Sequence, residues 1–300
     1  MANPIVTSLP EYVEQNKLGL IAKSVLGART TGIINFQTGI KSKATINILD
    51  TDVTLQDGSA CGFNAQGSQT VTQRVIETKP LKVNMEYCAK NMLKTFMQHE
   101  VRLNAGAKNL PFEEEFVGAV IEDVKGKVEK MIWQGDVSLG IVGFDGIFES
   151  LVSDPTVREN LIEETETVSD MVKKMVVHTN LPLKEDTKIF MGTDLFTRYI
   201  QELIESNLYH YSGENSNYEI TVPGTTIKVV AVEGLNGTGK AFAGRASNFY
   251  YGTDMEGDEE IFDLFFSNDD RNFKLVIEFN CGVQIAFPTE VLRGTVAPLA

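Results

Sequence analysis

Two long runs of strand-forming residues on either side of a loop constrain the fold of this sequence most strongly. The runs are ATINILDTDVTL (Ala44 to Leu55) and TVTQRVIETKPLKV (Thr70 to Val83), and both are rich in Thr, Val and Ile, which favour pleated strands. Between them, QDGSACGFNAQGS is dense in Gly, Ser, Asn and Asp, which predicts a turn. The pattern predicts an antiparallel hairpin whose strands are about a dozen residues long, roughly 35–40 Å at ~3.3 Å per residue.

This hairpin is too polar to bury much surface within itself. Neither run contains the continuous apolar stretch of a strand that is buried on both faces. An isolated two-stranded hairpin is only marginally stable in water. We therefore expect the hairpin to gain stabilising contacts elsewhere, which is a first indication of assembly.

The clearest helix follows the hairpin, in PFEEEFVGAVIEDVKGKVEKMIW. Its apolar residues recur every four positions, at Phe112, Phe116, Val120, Val124, Val128 and Ile132. Pro111 suits a first helical turn, and Glu113 to Glu115 complement the positive end of the helix dipole. The pattern predicts a rod about 35 Å long that ends at Gly135-Asp136.

Before the hairpin, Leu9 to Leu26 are predicted to form a short amphipathic helix with Pro10 in its first turn. Two interpretations stay open for this helix. It docks on the core of its own subunit, or it is an arm that reaches a neighbour.

The middle of the chain alternates helices and strands. Ser169 to His178 and Asp194 to Leu208 are predicted helices, while Thr187 to Gly192 and Thr225 to Val232 are predicted buried strands. This mixture predicts a compact α/β lobe.

The C-terminal part predicts three antiparallel strands. Glu260 to Phe266 form the first, and RNFKLVIEFNCGVQIAF is interpreted as two more, joined by a turn at Asn280 to Gly282. Their apolar positions would form one face, which we expect the long helix to cover. No repeat of solenoid period is visible.

The acidic net charge argues against a protein that binds nucleic acid through its phosphates. The 300 residues contain 27 Lys+Arg and 41 Asp+Glu, a formal net charge of −14, whereas phosphate binding needs clustered basic residues. Basic groupings such as Lys41 with Lys43, or Lys173 with Lys174, are short. No apolar run reaches the ~20 residues that a membrane span needs. The N-terminal residues lack the pattern of a secretory signal, so the cytoplasm is the expected compartment.

Residues that could carry catalysis or bind metal are scattered. The cysteines are Cys61, Cys88 and Cys281, without a CxxC spacing, and the histidines are His99, His178 and His210. These spacings predict no disulfide framework and no metal site. No GxSxG motif occurs, and the acidic clusters Glu113 to Glu115, Glu163 to Glu166 and Asp254 to Glu260 are typical of solvated faces. We predict no catalytic, cofactor-binding or metal-binding residues, and no enzyme.

One motif suggests an alternative. GLNGTGK (Gly234 to Lys240) follows a predicted strand and has the spacing of a phosphate-binding loop. However, Ala241 stands where a magnesium-binding hydroxyl is needed. The next residues show no helical period, so a helix N-terminus facing a phosphate is not expected. A flexible connection is the simpler interpretation.

The order of these parts resembles the major capsid protein family of tailed bacteriophages, with the Hong Kong 97-type fold. Three strings support the resemblance. IWQGD followed by FDGI (Phe144 to Ile147) is similar to the exit of the family's long helix, and KIFMGTDLFTRYIQEL (Lys188 to Leu203) to a strand-to-helix unit. Arg245 to Pro288 are similar to the family's closing sheet, with an acidic stretch before its strands.

The resemblance implies an α+β fold with named parts. They are an N-terminal arm (residues 1–34), an E-loop hairpin (35–84), a P-domain (85–146 and 243–300) and an A-domain (147–242). The P-domain would contain the spine helix, about residues 112–134, and the C-terminal sheet, about 247–288.

The resemblance also implies a function by self-assembly. Hexamers and pentamers would form an icosahedral or prolate head that encloses double-stranded DNA without sequence-specific binding. Only about 35 residues precede the hairpin, which favours a separate scaffolding protein. A portal and decoration or head-completion proteins are the other implied partners, without any membrane. The subunit would be assembled in the host cytoplasm and end in the virion.

Two other functions stay open. The first is an encapsulin-like bacterial compartment that encloses enzymes, and the second is a nucleotide-binding enzyme that uses Gly234 to Lys240. Some capsid relatives cross-link subunits through an E-loop lysine. Lys41, Lys43 and Lys79 lie in or near the hairpin, but no motif identifies a reactive lysine, and we predict no cross-link.

Overall fold

The computed structural model describes residues 4–56, 66–88, 91, 112–137, 145–153, 162, 165–178, 186–206, 218–254 and 261–296. These residues form an α+β architecture of two five-stranded sheets, a separate two-stranded hairpin and five helices. The predicted hairpin tip falls largely on residues 57–65, outside the described residues. None of the described helices is long and apolar enough to cross a membrane.

The helices are α1 (Pro4–Leu26), α2 (Phe112–Gln134), α3 (Ile147–Ser153), α4 (Val168–Val177) and α5 (Thr193–Glu205). The strands are β1 (Asn35–Gln37), β2 (Lys43–Asp52), β3 (Ser68–Glu77), β4 (Lys79–Cys88), β5 (Thr187–Met191), β6 (Glu219–Thr221), β7 (Lys228–Ala231), β8 (Lys240–Arg245), β9 (Phe249–Thr253), β10 (Ile261–Ser267), β11 (Asn272–Ile285) and β12 (Leu292–Thr295).

The first sheet is organised around β11, its longest strand. β10 and β4 both pair antiparallel with the first part of β11, and β9 pairs with the last part. β1 adds to β9 in parallel. One face of β11 and its neighbours is buried against α2, as the apolar period of α2 predicted, with the Tyr87 and Phe116 rings edge-to-face at 4.9 Å. α1 packs against both α2 and β10.

The second sheet has the strand order β12-β8-β5-β7-β6 and lies between two cores. One of its faces carries Phe190, Val230 and Phe242 into the core of the first sheet. The other face carries residues such as Ile189 and Val229 into a core formed with α4 and α5. The predicted strands and helices of this region are confirmed, with ends that differ by a few residues.

The predicted turn at Asn280 to Gly282 is wrong, because β11 runs without interruption through these residues. Phe279, Cys281 and Val283 all point into the same core, so the alternation of apolar side chains never breaks. Gly282 serves close packing instead of a turn. A Cβ atom at this position would lie 2.1 Å from the backbone oxygen of Glu77.

The predicted second strand of the hairpin, Thr70 to Val83, is in fact two strands. β3 pairs with β2, and β4 leaves the hairpin to pair with β11. The break is at Thr78, whose buried side chain donates a hydrogen bond to the backbone oxygen of Ile40 at 3.1 Å. Pro80, two residues after Thr78, is the local signal of this break, because a proline cannot donate to a strand ladder and argues against one continuous strand.

The predicted N-terminal helix is confirmed, but Pro10 is not in its first turn. The helix begins at Pro4, so Pro10 lies inside it. A proline at the first helical position loses no hydrogen bond, and Pro4 therefore takes the place that was predicted for Pro10. Leu9, Val13 and Leu20 are buried in the core of this subunit, which supports the docked interpretation.

Two glycines test this packing in opposite directions. We expect Gly282→Ala to lower the free energy of unfolding by about 1–3 kcal/mol, because the new methyl group overlaps the Glu77 carbonyl. Gly126→Ala, at an exposed position in α2 with no atom within 4 Å of the new Cβ, should raise it by up to about 1 kcal/mol. Urea unfolding followed by circular dichroism measures both. Equal effects of the two substitutions would contradict the packing described here.

Candidate assembly surface

The hairpin of β2 and β3 has two faces of different character. Its register runs from Lys43 opposite Glu77 to Asp52 opposite Ser68. Because side chains alternate along each strand, directly opposed residues share a face. We call the face that contains Ile46 the inner face, and the face that contains Leu49 the outer face.

The inner face is anchored to the body of its own subunit near the root of the hairpin. Ile46 and Ile48 are buried, and Ile76 is fully buried, in a small core with Ile40 and Ala286. The hairpin thus gains contacts outside itself, as expected, but at the root these contacts are with its own subunit and give no indication of assembly. These contacts contribute about 1.5–3 kcal/mol for each buried isoleucine side chain.

Backbone contacts also hold the root of the hairpin. The Thr78 N–H donates to the Ser42 oxygen at 2.9 Å. Gly252 lets β9 approach the inner face closely, since a Cβ there would lie 2.7 Å from Ile40 Cδ1 and 2.8 Å from Ile76 Cδ1. These contacts at the root determine the direction in which the hairpin extends from the first sheet.

The outer face is exposed along most of its length. Its described side chains are Lys43, Thr45, Asn47, Leu49, Gln69, Val71, Gln73, Val75 and Glu77. Apart from Lys43 and Glu77, which form an ion pair at the root, none of these residues is ionisable. Leu49 is 57% and Val71 62% exposed, and the two are directly opposed across the strands. With Val75, which is also exposed, they form an apolar row on one face, and adjoining exposed apolar side chains mark a candidate surface for another protein.

The hairpin lysines lie at its root. Lys43 and Lys79 both pair with Glu77, at 3.4 Å and 2.5 Å. The hydrogen bond from Lys79 lowers the pKa of the Glu77 carboxyl below its usual value. Lys41 is exposed just before β2. The prediction that no lysine is identified as reactive stays a prediction.

A buried polar network joins α2 to the segment that follows α1. Glu129 of α2 is only 3% exposed, and it accepts hydrogen bonds from the Thr30 N–H, at 3.0 Å, and from the Thr30 hydroxyl. The Thr30 oxygen in turn accepts from Trp133 Nε1 at 2.8 Å. Burial raises the pKa of Glu129, although the bonds from Thr30 oppose the shift.

A cleft of about 620 Å³ opens above this network. Its wall is formed by the end of α1, by α2 and by the start of α5. Arg29 lies at its rim, with its guanidinium 5.7 Å from the centre of the Tyr218 ring and 3.8 Å from Glu219. The cleft is polar and mixed in charge, and Ala231 at the end of β7 brings the second sheet to its wall.

The Gly234 to Lys240 segment does not have the structure of a phosphate-binding loop. It connects β7 to β8, so a strand follows it where a helix N-terminus would be needed. The N–H groups of Gly237 and Lys240 donate to Asp194 and to the Thr238 hydroxyl. Gly234 instead allows close contact with α2, since a Cβ there would lie 2.3 Å from the Glu129 oxygen.

The other candidate residues do not come together in the described part of the chain. Cys88 and Cys281 lie at opposite ends of the β4–β11 ladder and form no disulfide with each other, and His178 follows the end of α4. Cys61, His99 and His210 lie outside the described residues. Among the described residues, no group of three potential ligands could hold a metal ion. Asp254 is fully buried, so the expectation of a solvated face is wrong at that position.

Comparison with solved structures gives matches over nearly the whole chain. A chain of the satellite phage P4 procapsid matches with a TM-score of 0.63 and 9% identity, covering all of both chains. A chain of Mycobacterium phage Ogopogo matches at 0.56 and 10% identity, over 90% of this chain and 92% of that one. A chain of Microbacterium phage Oxtober96 matches at 0.53 and 11%, over 90% and 91%.

This chain has the fold of phage capsid proteins. No protein-family model matches the sequence, and no curated protein matches it either. The phage capsid fold is therefore recognised from the arrangement of helices and strands, at about one identical residue in ten. The α+β class and the capsid resemblance predicted from the order of elements are confirmed.

Sequence reasoning missed the Thr30–Glu129–Trp133 network. A weak signal was present, because Glu129 lies four residues before Trp133, a member of the apolar stripe of α2, and residues at this spacing lie on the same side of a helix. The partner, Thr30, is a hundred residues earlier in the chain, and no local pattern connects it to α2.

The raised pKa of Glu129 predicts a specific pH dependence of stability. A folded-state pKa above the unfolded value favours the protonated form, so this contribution is present at low pH and lost as pH rises through the folded-state pKa. As pH rises above the unfolded-state pKa of about 4.3, the wild type should lose stability relative to Glu129→Gln, which stays neutral. Denaturant unfolding, followed by the fluorescence of the single tryptophan, Trp133, measures the difference.

The matched control is Glu122→Gln, at a site on α2 whose side chain is 72% exposed. This variant should not gain stability over the wild type as pH rises. Parallel pH profiles for the wild type and Glu129→Gln would contradict the proposed burial of this carboxyl group.

Proposed function

We propose that this protein is a capsid shell subunit that self-assembles into the hexamers and pentamers of a phage head enclosing double-stranded DNA. The observation that carries the proposal is the match to the phage P4 procapsid chain over the full length of both chains. A match limited to one core or one lobe would support the proposal less strongly. Here the match covers the whole chain, including the residues of the hairpin and of both sheets.

The anchored hairpin supports a role in contacts between subunits. Its inner face is fixed to its own subunit, while its outer face carries exposed apolar residues such as Leu49 and Val71. Each such contact can be weak, because many identical contacts act together in a closed shell.

The parts of the capsid fold are assigned as proposals. The hairpin of β2 and β3 lies in the proposed E-loop (35–84), and α2 with β9, β10 and β11 lies in the proposed P-domain (85–146 and 243–300). β5, β6 and β7, with α4 and α5, lie in the proposed A-domain (147–242), and residues 1–34 form the proposed N-terminal arm. The sheets cross these boundaries, because β1 and most of β4 fall in the E-loop range and β12 falls in the P-domain range. In this arrangement the A-domains would surround the axes of hexamers and pentamers.

The proposed partners follow from assembly. We propose a separate scaffolding protein, a portal and decoration or head-completion proteins, with the subunit assembling in the host cytoplasm and ending in the virion. The net charge of −14 fits a wall that encloses DNA without binding it through phosphates. The proposed function involves no enzymatic step.

Removing the end of the hairpin tests the proposal. A variant that lacks Gln56 to Ser68 should keep the helix and strand content of the wild type, because the core contacts of Ile46 and Ile76 remain. It should not form closed shells under conditions in which the wild type does. Circular dichroism measures the first property and negative-stain microscopy the second.

Closed shells of wild-type size from this variant would contradict the role of the hairpin in assembly. Loss of the folded structure would show that the hairpin end stabilises the subunit itself, against the assignment made here.

A further inference from the structure

The outer face of the hairpin differs from the rest of the chain in its charge. About 23% of all residues are Asp, Glu, Lys or Arg, with 41 acidic against 27 basic. Beyond Lys43 and Glu77 at the root, none of the seven outer-face side chains described, from Thr45 opposite Val75 to Gln69 next to the tip, is ionisable. The ion pair between Lys43 and Glu77 at the root marks the end of this neutral area.

Away from the root, the charged side chains of the hairpin lie on its inner face. Arg74 lies opposite Ile46, on the inner face, and is half-buried there. The outer face presents apolar side chains and amides instead. Leu49 opposes Val71, and next to them the Gln73 amide donates to the Asn47 oxygen at 3.0 Å.

Two copies of an acidic chain repel each other wherever their carboxylates approach. Each copy carries a net charge of −14, and opposed like charges at an interface cost several kcal/mol. A neutral face avoids this repulsion, and its apolar pair gains free energy when water is excluded. The outer face is therefore suited to contact between copies.

We infer that the outer face is the part of the hairpin that contacts a second copy of this chain, and that it docks on an uncharged apolar and amide surface of that copy. This inference rests on the proposed function and names the chemistry of one of its contacts. The contact contains no ion pair for salt to break, while salt screens the repulsion between the subunits. Assembly should therefore increase with ionic strength.

Two matched substitutions test the inference. Leu49→Asp places a carboxylate in the middle of the outer face, whereas Val177→Asp makes the same change at the end of α4, at a side chain that is 80% exposed. Sedimentation velocity on the full chain measures the assembled fraction, and circular dichroism confirms folding. We expect at least about a tenfold loss of assembly for Leu49→Asp and no comparable loss for Val177→Asp.

A second variant, Val71→Asp, changes the opposing strand at an exposed position and should repeat the loss. For the wild type, the assembled fraction should rise from low salt to ~0.5 M NaCl. Normal assembly of Leu49→Asp and Val71→Asp, or assembly of the wild type that falls with salt, would overturn the inference while the proposed function stands. A wild type that stays monomeric under all conditions would overturn both.

If the two variants form normal shells alone but no longer bind a co-expressed scaffolding protein, the occupant is the scaffold and not a second copy. That result also overturns the inference.

Discussion

The packing of Trp133 is the interaction on which the rest of the structure depends. The centre of its ring lies 5.2 Å from the ring centre of Phe190 and 5.8 Å from that of Phe242, both in the second sheet. The ring centre of Phe249, in the first sheet, lies 6.2 Å away. Its N–H donates to Thr30, which also binds Glu129. One side chain at the end of α2 thus joins both sheets and the segment after α1. A large aromatic ring achieves this because it buries much area and still has a polar atom to pair.

This junction gives the hairpin a fixed base. α2 packs on the first sheet, which contains β4 and β11. Gly252 and Gly282 of this sheet allow the root of the hairpin to approach it closely. A shell subunit needs such rigidity, because an interface repeated around a closed shell requires each copy to present it at the same angle. The apolar side chains divide accordingly, with Ile46 and Ile76 buried in the subunit and Leu49 and Val71 left exposed.

Local patterns predicted the elements well where side chains alternate or repeat clearly. The period of α2, the strands of the second sheet and the pairing of β2 with β3 could all be predicted. The continuity of strands was predicted less well. Pro80 was a local signal of the break after β3, but the exact position of that break and the continuity of β11 depend on distant contacts. Thr78 ends β3 through Ile40 and Ser42, and Gly282 stays within β11 because Glu77 approaches it. The candidate assembly surface was predicted as a polar hairpin, but its division into two faces follows from the register and from the core around Ile40.

The central claim is that copies of this chain build a closed shell. Size-exclusion chromatography with light scattering, followed by negative-stain microscopy of the largest species, tests it most directly. The account predicts hexamers, pentamers or closed shells, formed alone or with a co-expressed scaffold, and no trapped enzyme as the copurifying content. A protein that stays monomeric at high concentration, and also with a scaffold, would contradict the claim. Shells that enclose a tagged enzyme would show a bacterial compartment in place of a phage head.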